Sequence, residues 1–271
     1  MKIASITVCG CEDDIIGYTI SHLQEEGVAL SVVILVEPDK PTLEVMRNLK
    51  MLYGERVRLV HDPDIAAYNG RKITAMANKL HGEGYDYILP VDADELFVSL
   101  VPDKRLAEVV SSSSAPASSV HLINHYSTDR DDPNEPNPWK RACHRHVDPN
   151  PLPKNFVRFH PLMVINEGCH SISFQDGTPI RGVRVPVTIR HFTYRSPALF
   201  EKKVRRTQRS IALAIEHGPH MHTHMRVYGQ ILLESGPEGL ADHFNRHFYF
   251  RLPSDKVFYD PAPYKLSLIH I

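Results

Sequence analysis

Short apolar runs alternate with helical patterns through the first 95 residues of this chain, and this alternation constrains the fold more than any other feature. Four β-branched runs are typical of strands, and the segments between them repeat apolar residues at helical spacing. Strands that alternate with helices in this way form a largely parallel sheet with right-handed crossovers. We therefore predict an α/β domain with strands at residues 3–8, 32–36, 57–60 and 88–91.

The fourth predicted strand ends in a cluster of carboxylates. Ionised carboxylates cannot follow apolar residues into the core, so Asp92 and Asp94 must emerge at the edge of the sheet. Their oxygens are the hard ligands that Mg²⁺ and Mn²⁺ prefer. The spacing alone is weak evidence, because the chain has further Asp-x-Asp pairs at 62–64 and 129–131. The apolar strand in front of Asp92 distinguishes this pair and predicts a site for a divalent cation.

Acidic residues also follow the first two predicted strands. Glu12 lies in the loop after the first strand, and Asp39 lies in the sequence Glu37-Pro38-Asp39 after the second. In parallel α/β sheets, ligands bind beyond the carboxyl ends of the strands. We predict that the three acidic strand ends lie along one edge and line one cation-dependent cleft. The alternative is that these loops are acidic for solubility alone.

Composition excludes several classes of function. The 271 residues are 42% hydrophobic, which is enough for a sizeable core in one large or two small domains. A formal net charge of -1 gives no global field for nucleic acid or an anionic membrane. No apolar stretch approaches the roughly 20 residues of a membrane helix, and the N-terminus lacks a signal-peptide pattern. We predict a cytoplasmic protein without a nucleic-acid partner or a transmembrane segment, and leave a peripheral membrane contact open.

Cysteines and histidines give no familiar metal-binding spacing. The four cysteines form no C-x-x-C pair, so free thiols are expected. Six of the seventeen histidines cluster at 144–146 and 217–224, but neither cluster has a complete zinc ligand set. Zinc and solvated histidines both remain open at these positions.

The second half of the chain is organised around a long loop and a helical tail. The loop spans 129–153 and holds the only tryptophan, Trp139, so a lid, a binding loop or disorder is expected there. Strand-like runs follow at 156–165 and 183–189. From Pro197, apolar residues recur at helical spacing, and a basic face accompanies them. That face is interpreted either as a solvated surface or as a contact for phosphate or an anionic acceptor. Its residues are Lys202, Lys203, Arg205, Arg206 and Arg209.

We divide the chain into a catalytic domain at 1–196, a helical extension at 197–265, and a terminal segment at 266–271. The terminal segment, Leu-Ser-Leu-Ile-His-Ile, resembles the translation of a sequencing adapter, and we predict that it packs against nothing. On that interpretation the natural chain continues past Lys265.

Several motifs, in matching order and spacing, resemble the family 2-like glycosyltransferases of the GT-A fold, in particular the subgroup with a D-A-D-E-F/L motif. The likeness spans most of residues 1–210. It implies a GT-A-like, Rossmann-type, mainly parallel α/β sheet with helices on both faces and a helical C-terminal tail. The motifs are Glu12-Asp13-Asp14-Ile15-Ile16, Asp39, Asp92-Ala93-Asp94-Glu95-Leu96, Gly168-Cys169-His170 and His191-Phe192-Thr193-Tyr194-Arg195-Ser196.

The resemblance also implies roles for individual residues. Asp94 and His191 would bind Mn²⁺ or Mg²⁺, and Asp92 would contact the ribose or share the metal through water. A divalent metal would stabilise the negative charge of the leaving diphosphate. The remaining nucleotide contacts would be Glu12, Asp39, His170 and Arg195, with Lys203 either neutralising phosphate or lying on the surface.

The expected reaction is transfer of a sugar from a nucleotide donor, with UDP favoured, to a glycan or lipid-linked acceptor. Inverting transfer needs a carboxylate within hydrogen-bond reach of the acceptor hydroxyl. Glu95 and Glu167 are both candidates, and the sequence does not choose between them. Two alternatives stay open: a nucleotidyltransferase on a similar sheet, and a non-catalytic binding module with a degenerate GT-A fold.

Overall fold

The structure of the chain is a computed structural model, and it describes residues 1–148, 150–214 and 222–261. The terminal segment 266–271 lies outside the described residues, as do His217 and His220 of the second histidine cluster.

The first half of the chain alternates strands and helices as predicted. Its strands lie side by side in the order β4-β1-β2-β3, and every pairing among them is parallel. Apolar side chains of the strands are buried on both faces, which is typical of parallel sheets. The elements are β1 (Ile3–Cys9), α1 (Ile16–Glu25), β2 (Leu30–Val36), α2 (Lys40–Tyr53), β3 (Val57–Asp62), α3 (Asn69–Gly82) and β4 (Tyr87–Pro90).

Helices cover both faces of this sheet. On one face, Ile20 of α1 and Met46 of α2 pack against strand residues such as Val33. On the other face, Ile73 and Ala77 of α3 pack in a separate apolar cluster. The predicted fold class, an α/β sheet with helices on both faces and a helical C-terminal part, is confirmed.

The strands after Asp92 add antiparallel pairs to this sheet. β8 (Lys154–Arg158) pairs antiparallel with both β4 and β6 (Ala117–Thr128). β7 (His144–His146) pairs antiparallel with β6 and with β14 (Val257–Tyr259). β12 (Val183–Tyr194) runs parallel to β6 and antiparallel to β5 (Glu95–Ser99). The parallel arrangement expected for the whole sheet therefore holds in the first half, whereas the second half is mixed because its strands follow loops rather than crossover helices.

The elements of the second half are β5 (Glu95–Ser99), α4 (Leu106–Ser111), β6 (Ala117–Thr128), α5 (Pro138–Arg141), β7 (His144–His146), β8 (Lys154–Arg158), β9 (Met163–Ile165), β10 (Ile172–Phe174), β11 (Pro179–Ile180), β12 (Val183–Tyr194), α6 (Pro197–Leu213), α7 (Thr223–His247), β13 (Tyr249–Phe250) and β14 (Val257–Tyr259). Part of the long loop at 129–153 is packed on the core, because the buried Trp139 lies in one cluster with Ile15 and Phe192.

The C-terminal helices α6 and α7 pack on the edge where the parallel strands end. Phe200 and Val204 of α6 are buried together with Ala66 and with Phe244 of α7. A stack of Tyr194 on Phe248, with 3.7 Å between ring centroids, fastens the end of β12 to this layer. Helix α6 is thereby held over the acidic strand ends, with its basic face toward them. Four of the five residues of that face form ion pairs with carboxylates at these strand ends: Lys202 with Asp39, Lys203 with Asp94, Arg206 with Glu12 and Arg209 with Glu37.

Candidate functional site

A cleft of about 490 Å³ lies between the carboxyl ends of β1, β2 and β4 and the covering helix α6. Of the three acidic strand ends, Glu12 and the pair Asp92 and Asp94 contribute to its walls. Its lining also includes residues from β6, β8 and β12, so it joins both halves of the chain. Its lining mixes apolar and charged side chains. Val8, Val36, Ile65 and Ile73 belong to one apolar cluster of the lining.

Asp94 is a nearly enclosed carboxylate of the cleft, with a side chain only 5% exposed. Its Oδ2 atom lies 2.9 Å from Lys203 Nζ and 3.7 Å from a guanidinium nitrogen of Arg195. Its Oδ1 atom lies 3.5 Å from His191 Nε2. Burial raises the pKa of Asp94, but Lys203, then His191 and Arg195, outweigh burial and hold that pKa well below its ordinary value. Asp94 is therefore an ionised carboxylate at neutral pH.

His191 is oriented toward Asp94 by a neighbouring strand. On β12, its Nδ1 atom lies 2.9 Å from Asn124 Oδ1 of β6. With Nδ1–H donating to that oxygen, Nε2 faces Asp94: it donates to the carboxylate when the ring is protonated, and it presents a lone pair there when the ring is neutral, which is the arrangement that suits a metal-ligating histidine. Nε2 and Asp94 Oδ1 are close enough to share an ion whose ligand bonds are about 2.1 Å.

Asp92 is held apart from this pair by a buried lysine. Lys154 of β8, whose side chain is 3% exposed, places Nζ 2.6 Å from Asp92 Oδ2 and 3.1 Å from Glu95 Oε1. Burial lowers the pKa of Lys154, but Asp92 and Glu95 outweigh it and raise that pKa well above its ordinary value. Asp92 thus already carries a cation on one oxygen, and its role as a metal ligand stays a prediction.

Two residues of the cleft, Asp94 and His191, are placed to hold a divalent metal ion. Within the part of the chain that the structure describes, no three His, Cys, Asp or Glu side chains are arranged to hold a metal ion. Asp94 and His191 fit two positions of a divalent ion, and Mg²⁺ commonly takes one or two protein carboxylates and completes its shell with substrate phosphates and water. The residues therefore fit an ion that a diphosphate completes.

Asp39 and Arg195 have contacts that are structural. Asp39 does not line the cleft: it caps α2 by accepting from Thr42 N at 3.0 Å, and it pairs with Lys202 at 2.6 Å. Arg195 is 8% exposed and makes two hydrogen bonds to Asp14, besides donating to Phe192 O. The sequence predicted both residues as nucleotide contacts, whereas here Asp39 starts a helix and Arg195 supports Asp94 from behind.

Glu12 and His170 are in the cleft. The Glu12 carboxylate accepts from the backbone N–H groups of Gly10 and Cys11, each at 2.8 Å, and so closes its own loop. His170 Nδ1 lies 2.8 Å from Pro153 O and donates to it, which leaves Nε2 unprotonated. Burial lowers the pKa of His170, so the ring is neutral at physiological pH.

The two candidate bases differ in access. The Glu95 side chain is fully buried; Oε2 accepts from Asp92 N at 3.0 Å, and Oε1 faces Lys154. Glu167 lines the cleft with partial exposure, and its Oε1 accepts from Gly70 N at 3.0 Å. Of the two residues, Glu167 has partial exposure, but its Oε2 atom is buried, so an acceptor hydroxyl would reach this carboxylate through Oε1 or after a movement of the side chain.

Sequence reasoning missed Lys154 and Asn124, which line the cleft, and named Thr193 and Arg206 only as members of a motif and of the basic face. Arg206 of α6 lies against Gly10, where a Cβ atom would overlap its guanidinium, and it donates to Val36 O at 2.5 Å. A side chain at position 10 would have to displace this guanidinium. Local pattern gives no signal for Lys154 and Asn124, because each acquires its role through a partner far along the chain.

Known proteins offer limited comparison. No family model matches the sequence, and no curated relative does. Among solved structures, S. aureus TarS aligns with TM-score 0.33 and 12% identity over 49% of this chain and 23% of that one. TarS 1–349 in complex with UDP aligns with TM-score 0.38 and 13% identity over 92% of this chain and 72% of that one. HddC from Yersinia pseudotuberculosis aligns with TM-score 0.34 and 12% identity over 72% of this chain and 79% of that one. This chain thus spans about a quarter of full-length TarS, and at these TM-scores we draw neither fold family nor activity from the likeness.

Proposed function

We propose that this chain is a glycosyltransferase that takes a sugar from a nucleoside diphosphate donor, with UDP favoured. The observation that supports this most is the lining of the cleft, which combines packed apolar side chains such as Val36 and Ile73 with the cluster of Asp94, His191 and Lys203. A nucleoside diphosphate has both kinds of surface, a flat base and concentrated negative charge. A glycan or lipid-linked acceptor remains the expected second substrate.

Asp94 and His191 would hold Mn²⁺ or Mg²⁺ in this proposal. When bound, the ion would supply positive charge that stabilises the departing diphosphate. Asn124 holds the His191 ring so that Nε2 faces the carboxylate, and Arg195 keeps Asp94 ionised from the protein side. Lys154 fixes Asp92 and Glu95 below the cleft, which leaves the second Asp92 oxygen for a ribose hydroxyl.

Glu167 is our candidate for the general base. A base must come within hydrogen-bond reach of the acceptor hydroxyl. Glu95 cannot do so without leaving Lys154, since its side chain has no exposed surface. The Gly70 N–H would hold Glu167 in place while its carboxylate takes the proton.

Nucleotidyl transfer is the weaker alternative because of the loop after β1. Enzymes of that class bind phosphates with the free backbone N–H groups of a glycine-rich loop. Here the N–H groups of Gly10 and Cys11 are both engaged by the Glu12 carboxylate. A phosphate would have to displace an ionised side chain to reach them.

No helix in the described ranges is long and apolar enough to cross a membrane. The cytoplasmic location stays a prediction, as does the identity of the acceptor.

A thermal-shift panel of nucleotide sugars, each with and without Mn²⁺, tests the proposed function. A ligand at about 100 times its dissociation constant stabilises the folded state by roughly 2.7 kcal/mol, which is a shift of several degrees for a domain of this size. We expect at least one nucleotide sugar to raise the melting temperature in the presence of Mn²⁺. A panel without any shift would contradict the proposal.

A further inference from the structure

Two lysines contact the acidic cluster, and they differ in access. Both line the cleft, but the Lys154 side chain is 3% exposed between Asp92 and Glu95, whereas the Lys203 side chain is 36% exposed. Lys203 Nζ lies 2.9 Å from Asp94 Oδ2 and 2.8 Å from Thr193 Oγ1. A buried ammonium between two carboxylates is a fixed structural element. An ammonium at the end of a partly exposed side chain in the wall of a cleft can exchange its partner for a ligand.

Lys203 occupies a position that makes it a competitor for any other cation. Asp94 offers two oxygens: one faces His191, and the other is held by Lys203. A divalent ion placed between Asp94 and His191 would lie within a few ångströms of the ammonium, and like charges at that distance repel each other. The ammonium and the ion therefore oppose each other at Asp94 unless a polyanion lies beside them.

We infer that Lys203 binds Asp94 in the free protein and binds the phosphates of the donor once a diphosphate enters the cleft. This inference rests on the proposed function and extends it. The diphosphate draws the ammonium away from Asp94. The Asp94 oxygen that Lys203 held is then free to bind the metal ion. Lys203 thereby makes metal and nucleotide binding cooperative, and by thermodynamic linkage each must strengthen the other by the same factor.

Helix α6 has the features that such an exchange needs. Lys203 is on a helix anchored by neighbouring contacts, among them Lys202 with Asp39 at 2.6 Å and Arg206 with Val36 O at 2.5 Å. Because these contacts hold the backbone, the lysine side chain can change partner while the helix stays in place. Asp94 also keeps Arg195 at 3.7 Å, so removing the ammonium does not leave a buried carboxylate without a cation.

Calorimetry on the full chain tests the inference with two titrations, Mn²⁺ alone and UDP in the presence of Mn²⁺. The key variant is Lys203→Met, which keeps the apolar stem and removes the charge. We expect Mn²⁺ alone to bind this variant about tenfold more tightly than it binds the wild type, and the mutual strengthening by Mn²⁺ and UDP to shrink by a similar factor. UDP affinity should fall. A purely structural lysine would instead leave Mn²⁺ affinity unchanged or weaken it, and that result would overturn the inference.

Arg205→Ala is the matched control, because it removes one positive charge from the same helix at an exposed position paired with Glu201. It should leave both titrations unchanged. Lys203→Arg provides a second variant that keeps the charge; it should retain wild-type Mn²⁺ affinity, and tighter binding there would count against competition at Asp94. If UDP binds no form of the protein, the proposed function fails, while the Mn²⁺ titrations still decide whether Lys203 competes for Asp94.

Discussion

Two Asp-x-Asp pairs end strands of the same parallel sheet, and their surroundings differ. Asp62 and Asp64, after β3, have side chains 22% and 57% exposed, and their cation is Lys72 from the next helix along the chain. Asp94, after β4, is enclosed by residues of β12 and α6. Its partner Lys203 is 109 residues away in sequence, and the partner of Asp92, Lys154, is 62 residues away. An Asp-x-Asp pair becomes a site when distant parts of the chain fold over it.

The largest contrast should appear in stability. Lys154→Met leaves Asp92 and the buried Glu95 without their cation, and removing one partner of a buried pair typically costs about 3–5 kcal/mol. Lys72→Met at the end of β3 should cost less, since Asp62 and Asp64 keep contact with water. Urea unfolding of both variants measures the difference. Equal losses would mean that the two carboxylate pairs are equivalent.

Activity should separate the two pairs next. We expect Asp94→Asn and His191→Ala each to lower turnover by about 10²- to 10³-fold while the fold persists, because each removes one of two facing groups of the cleft. Asp62→Asn should leave turnover unchanged. Steady-state rates with the donor found in the thermal-shift panel, together with circular dichroism spectra, check this.

Near-normal turnover and metal affinity in His191→Ala would show that this histidine is structural. The glycosyltransferase proposal would survive that result, but the second metal position would not.

The sequence predicts the strands of the first half of the molecule better than the strand pairing of the second half. Alternating patterns placed β1 to β4 and put Asp92 and Asp94 at a sheet edge, since those patterns reflect local periodicity and burial. The antiparallel strands were harder, because the pairing of β8 with β4 and β6 depends on contacts between distant segments. Lys154 and Asn124 acquire their roles only through that pairing. The basic face of α6 was visible in sequence, but its partners, such as Asp94 and Asp39, are known only from the fold.

The packing behind the β4 end includes a buried histidine that should make folding stability depend on pH. His125, next to Asn124 on β6, is stacked on Phe192, and burial lowers its pKa to about 4. The unfolded chain, with a histidine pKa near 6.5, therefore binds the extra proton between about pH 6.5 and pH 4. Stability should fall as pH falls through this window, by up to about 3 kcal/mol from this residue.

Urea unfolding of wild type and His125→Gln across that window isolates the contribution, since His22 and His170, whose pKa values burial also lowers, remain in both proteins. Parallel curves for the two proteins would show that His125 does not titrate differently on folding.

The smallest expected effect concerns the end of β2. Asp39→Ala removes the side-chain cap of α2 and should cost about 1 kcal/mol of stability. UDP affinity should not change, because Asp39 lies outside the cleft lining. Chemical unfolding and calorimetry measure the two quantities, and a large loss of UDP affinity would restore the nucleotide contact predicted from sequence.

The central claim is that the β4 end, and not the β3 end, forms a cation-dependent site for a nucleoside diphosphate. Calorimetric titration of UDP into the wild type, in Mn²⁺ and then in chelator, tests it most directly. We predict measurable binding in Mn²⁺ and much weaker binding in chelator, because the diphosphate would otherwise face Asp92 and Asp94 unscreened. Asp62→Asn should bind as the wild type does, and Asp94→Asn should lose the effect of Mn²⁺. Equal UDP affinity in Mn²⁺ and in chelator would contradict the account.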